Sequence, residues 1–125
     1  MATKKKAAKN EGAVTAAEKV AVLADILSKV RQIRFDLDQS GVTLADTERR
    51  RLNADYDAAR DAYYQGLSTF VDAEDDGVRQ VMDDAETAVG ALAQLQASQA
   101  NKLRILDAIT SVVGLAGKLL VLGGA

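Results

Sequence analysis

The run Asp72-Ala-Glu74-Asp-Asp76-Gly77-Val-Arg79-Gln-Val-Met-Asp83 is the densest group of acidic side chains in this chain. Written as a twelve-residue calcium loop, it places carboxylates at the first, third, fifth and last positions and a glycine at the sixth, where such a loop turns sharply. Three residues fit that chemistry badly. Glu74 is longer than the usual Asp or Asn. Arg79 stands where an apolar side chain normally packs. Asp83 reaches less far than the glutamate that closes a calcium loop with both oxygens. The run therefore reads as an acidic junction ahead of a helix, where negative charge favours the N-terminus, and no metal is assigned to it.

Asp55, Asp57 and Asp61 are the other carboxylates with catalytic potential, because a pair of them flanking a sugar is the machinery of a glycosidase. They cannot all share one helical face, and a chain without tryptophan offers little cleft for a sugar. Histidine and cysteine are both absent. That removes the commonest general base near neutral pH, the commonest metal ligand and the thiol nucleophile. Neither a phosphate-binding glycine loop nor a dinucleotide fingerprint occurs. Arg49-Arg50-Arg51 spreads around a helix instead of forming one stripe, so it reads as a solvated face and not a nucleic-acid element. The expectation is a protein that is not an enzyme, with no cofactor, no nucleic-acid partner and no small-molecule substrate.

The elements that position these residues are helices. A chain of 125 residues without proline suits long unbroken helices, since proline removes a backbone donor and clashes one turn back. Aromatic residues make up only 4% of it, which disfavours a β-sandwich core. The net charge of −2 implies no global electrostatic partner. One domain is the upper bound. The opening MATKKKAAKN is basic but lacks an apolar stretch behind it, so it is not read as a secretory signal. Synthesis in the cytoplasm is expected, followed by assembly into a particle or association with a membrane. Residues 1–13 read as a flexible basic arm. Its Lys4, Lys5, Lys6 and Lys9 offer at most a modest, salt-sensitive contact to an anionic surface.

Residues 14–104 read as a helical hairpin and the first part of a long helix. Thr15-Ala-Ala-Glu18 has capping-box spacing. Val20, Leu23, Ile26, Leu27, Val30, Ile33 and Leu37 then recur at helical intervals, and Gly41 supplies the left-handed residue that stops the helix. Thr43 or Asp46 is the expected cap of a second helix, with Leu52, Tyr56, Ala59, Tyr63, Gly66, Leu67 and Phe70 on its inner face. The short link makes the two antiparallel. A third helix is expected from about Val78 towards the end of the chain, about 40 residues and roughly 60 Å long. It must project beyond the hairpin, bend back, or find a partner chain. Gln94, Gln96, Ser98, Gln99 and Asn101 form a polar patch where it would break. The expected fold is all-α: an antiparallel hairpin plus a long third helix with an apolar end, an elongated bundle of coiled-coil character.

Residues 105–125 are the most apolar segment. On a helical wheel Asp107, Thr110, Ser111, Gly114, Gly117 and Lys118 fall in one narrow seam. Ile105, Ile109, Val112, Val113, Leu115, Ala116, Leu119, Leu120 and Leu122 form a broad apolar arc. Three readings follow. The arc packs at the centre of a homo-oligomer, it enters a bilayer with the seam lining a pore, or it fills the groove of its own hairpin. An arc this wide is hard for a lone chain to hide, so self-assembly as a structural subunit is the first expectation and membrane activity the second.

Overall fold

The computed structural model describes residues 13–39, 41, 43–70, 73, 74, 76–98 and 101–123; Lys4, Lys5, Lys6, Lys9 and Asp72 lie outside them. The described residues are all-α, with four long helices: α1 (Ala16–Gln39), α2 (Asp46–Thr69), α3 (Asp76–Ala97) and α4 (Lys102–Gly123). The single long third helix is therefore replaced by two, and the chain bends back within the polar patch. Asn101 makes the break: its side-chain oxygen accepts the Leu103 N–H at 2.7 Å, and its carbonyl accepts the Ile105 N–H at 3.2 Å. That is an N-cap restarting a helix. Asp76 to Asp83 lie in the first two turns of α3, so two thirds of the run that could be written as a calcium loop is helix. Among the described residues no group of three acidic side chains is placed to hold a metal ion.

Local sequence sets the other ends. Thr15 and Glu18 close a reciprocal capping box: the Glu18 N–H donates to the Thr15 hydroxyl and the Thr15 N–H to the Glu18 carboxylate, both at 3.0 Å. At α2 neither Thr43 nor Asp46 is the cap. Ala45 occupies that position, and Glu48 reaches back to accept the Ala45 N–H at 2.7 Å. Alanine has no side-chain acceptor, so only this half of a capping box exists. Gly41 stands beyond the end of α1 with φ +78°. A side chain there would meet no neighbour, so the backbone alone sets the cost of replacing it. Gly41→Val is expected to lower stability by about 1–2 kcal/mol, read as a shift in the urea midpoint at unchanged slope.

The helices alternate in direction but not in the simplest cyclic order. Asp38 meets Arg49 at 3.2 Å, so α1 and α2 are antiparallel neighbours. Gln96 donates to Asp36, which sets the end of α3 beside the end of α1, the two running parallel. Arg51 meets Asp107 at 2.7 Å, which sets α4 parallel to α2. α1 and α4 also touch across the bundle, whereas α2 and α3 stand at opposite corners. The cross-section is thus a rhombus with α1 and α4 on its short diagonal. This explains why α1 buries eight residues and α2 and α3 four each. A two-residue antiparallel ladder, β1 (Ala13–Val14) with β2 (Ala73–Glu74), pins the start of α1 to the α2–α3 connection. It moves Ala13 out of the expected basic arm.

Two residues of the core deserve a physical account. Gly66 lets α1 approach closely, because a Cβ there would stand 2.7 Å from Leu23 Cδ1 and 2.9 Å from the Phe70 ring. Among the described residues, Lys19 is the buried charged residue of the core. Its Nζ lies 5.6 Å from the centroid of the Phe70 ring, whose negative face attracts a cation.

Candidate functional site

The element with the strongest functional character is α4, and its surroundings can be built residue by residue. Ile105, Leu106, Ile109, Val112, Val113, Ala116 and Leu119 are buried in the core of the same chain. Leu115 and Leu120 are half-buried against it. Leu122 is 40% exposed. The lone chain therefore covers most of this wide arc. It does so because α4, on the short diagonal, is flanked by three helices. Each fully buried Leu or Ile contributes about 1.5–3 kcal/mol relative to exposure, so this arc is the main force holding α4 in place.

Asp107, Thr110, Ser111, Gly114, Gly117 and Lys118 are all exposed, so the seam forms the outward strip of α4. Its first half is tied to α2. The Arg51 guanidinium donates to Asp107 at 2.7 Å and to the Thr110 hydroxyl at 3.1 Å. The Thr110 hydroxyl donates to Asp55 at 2.6 Å. One turn earlier, Lys102 Nζ lies 3.0 Å from Glu48 and donates to the Thr43 carbonyl at 2.7 Å. Sequence reasoning missed this network. Arg51, Asp55 and Glu48 are ordinary surface residues until the bend at Asn101 brings α4 beside α2.

Beyond Thr110 the seam changes character. A Cβ added at Gly114 or Gly117 would meet nothing within 4 Å. The strip between them is open, and it ends at Val121, which is 79% exposed. The remaining catalytic candidates find ordinary partners: Asp57 and Asp61 both lie beside Arg60, at 3.6 and 3.7 Å. Arg49 pairs with Asp38, and Arg50 donates to the Asp46 carbonyl at 3.4 Å. A groove of about 480 Å³ runs between α1 and α3, with Asp25, Lys29 and Glu86 at its rim and Val22, Ala85 and Val89 in its lining.

The Glu48 carboxyl has a lowered affinity for protons. The Ala45 N–H holds it below the ordinary glutamate value of 4.5, and Lys102 adds to the effect. A carboxyl with a lowered folded-state pKa stabilises the fold above its unfolded value, and that stability is lost as pH falls through the folded value. Glu48→Gln is therefore expected to lower stability at neutral pH. The gap to wild type should close on the acid side of 4.5, as measured by urea melts across the pH range.

Of the described residues, α4 is the helix long and apolar enough, by length and composition, to cross a bilayer; the segment that qualifies is Lys102–Leu122. Comparison with protein-family models, with curated proteins and with solved structures finds no match.

Proposed function

We propose that the protein is a helical bundle that carries a membrane-active helix, α4, in a soluble form and delivers it to a bilayer. The observation that supports this reading is the combination found in Lys102–Leu122. The segment meets the length and apolarity of a bilayer span, yet in the bundle its apolar arc faces inward and its polar seam faces water. Lys102 and Arg104 at its start suit the headgroup region. Asp107 and Lys118 oppose a simple lipid-facing anchor. In a group of inserted copies the seam would face inward, where both charges meet water. The test is co-flotation of the full chain with neutral and anionic liposomes at low and high salt. Flotation that persists at high salt supports insertion. Flotation at low salt with anionic lipid alone assigns binding to basic side chains, and absence of flotation rejects the reading.

A second reading is self-assembly as a non-enzymatic structural subunit. It is favoured by the open Gly114–Gly117 strip ending at Val121, since small residues permit close helix approach. The core of such an oligomer would not be the buried arc but this outer strip. Val121→Asp should then reduce the particle size measured by light scattering, and unchanged size would reject assembly through that strip.

A further inference from the structure

We propose that the polar network between α2 and α4 is a catch, and that when it opens the bundle separates into two hairpins, α1–α2 and α3–α4, instead of releasing α4 alone. This deepens the membrane reading and rests on it for its purpose, though not for its test.

The packing determines the line of separation. α4 packs more extensively on α3 than on α2 or α1, and α1 packs more extensively on α2 than on α3 or α4. Withdrawing α4 by itself would break the largest interface in the molecule. Parting the hairpins keeps both of the largest intact and breaks only the smaller ones.

The charge pattern divides along the same line. From Thr87 to Asn101 no residue carries a charge, and from Thr87 to Gly123 the charged residues are Lys102, Arg104, Asp107 and Lys118. The second half of α3 is therefore free of charge, and the charged residues of that helix are confined to its first half, Asp76 to Glu86. In α2, by contrast, charged residues run along the helix: Arg49, Arg50, Arg51, Asp55, Asp57, Arg60 and Asp61. Lipid accepts one hairpin at far lower cost than the other.

The ties across this line gather at the end where α2 and α4 begin. Arg51 bridges Asp107 and Thr110, Thr110 reaches Asp55, Lys102 holds Glu48 and the Thr43 carbonyl, and Gln96 meets Asp36. Exposed pairs of this kind are individually weak. Together they do little for overall stability but bias an equilibrium between closed and open hairpins, where each tenfold change in population needs only about 1.4 kcal/mol.

The chain has no cysteine, so single thiol probes report cleanly. Ala85 is 1% exposed and lines the α1–α3 groove, on a different interface from the catch. Ala116, also 1% exposed, lies in α4 itself. Thiol-labelling rates of the full-length Ala85→Cys and Ala116→Cys proteins would be compared with and without Arg51→Gln. The expected result is that both sites label faster by the same factor, about tenfold, through an opening that costs less than global unfolding in a urea melt. Acceleration at position 116 with none at 85 would mean that α4 leaves alone. No acceleration at either site, or an opening free energy equal to that of global unfolding, would equally overturn the proposal.

A second experiment separates this inference from the membrane reading. A disulfide between Asp55→Cys and Thr110→Cys ties the hairpins together, and the oxidised protein should fail to float with liposomes until it is reduced. If wild type floats and the oxidised form floats equally well, the hairpin separation is wrong while the membrane reading stands. If wild type itself does not float, the membrane reading fails and the labelling rates still decide the opening.

Discussion

Ile109→Asp is expected to unfold the chain. Ile109 is fully buried in the middle of α4, and a carboxylate placed there loses its hydration without a partner while the isoleucine packing is also lost. Both effects belong to the few mechanisms that exceed about 4 kcal/mol for one substitution. A domain of this size is usually stable by about 5–15 kcal/mol, so most of the folded population should disappear, as seen by circular dichroism. Val121→Asp at the exposed end of the same helix should change stability by less than about 0.5 kcal/mol. The contrast is informative because it assigns the arc to the chain's own core. If Ile109→Asp instead left a folded chain and merely reduced particle size, the arc would belong to an oligomer.

Lys118→Leu should strengthen binding to neutral vesicles by about tenfold to a hundredfold. A lysine near the bilayer centre costs about 2.5–3.5 kcal/mol on insertion scales, and a position nearer the end of the span recovers part of that by snorkelling. Because Lys118 is exposed on the seam, the substitution should leave the urea midpoint of the bundle within about 0.5 kcal/mol of wild type. A vesicle titration would measure the partition constant. An unchanged constant would place Lys118 in water on the bound protein and argue against insertion of this part of α4.

The local punctuation of the fold could be read from the residues, because it depends on neighbours in sequence. The Thr15–Glu18 box and the left-handed Gly41 depend only on residues within a turn of them. The apolar stripe of α1 was also apparent, although burial extends to Val22 and Lys19. Those two follow from the rhombic packing, which covers a wider arc of α1 than a two-helix interface would. Leu103 shows how the reading of a single long helix failed. A register carried through residues 98–101 points it inward, but the restart at Asn101 resets the phase and leaves it 49% exposed. The same restart brings Asp107 and Thr110 beside Arg51 and Asp55, over fifty residues away in sequence. No periodicity argument reaches that distance. The seam of α4 was readable as a strip, and what it faces was not, because that depends on which three helices surround it.

The depth of α4 on vesicles tests its insertion most directly. Leu115→Cys, labelled with a small environment-sensitive dye, reports from a half-buried point on the apolar arc. Once the protein is bound, lipids with brominated acyl chains should quench the dye and aqueous iodide should not. Unchanged emission with no quenching by brominated lipid, while the protein co-floats with the vesicles, would show that α4 never leaves the bundle and that it is not delivered to lipid.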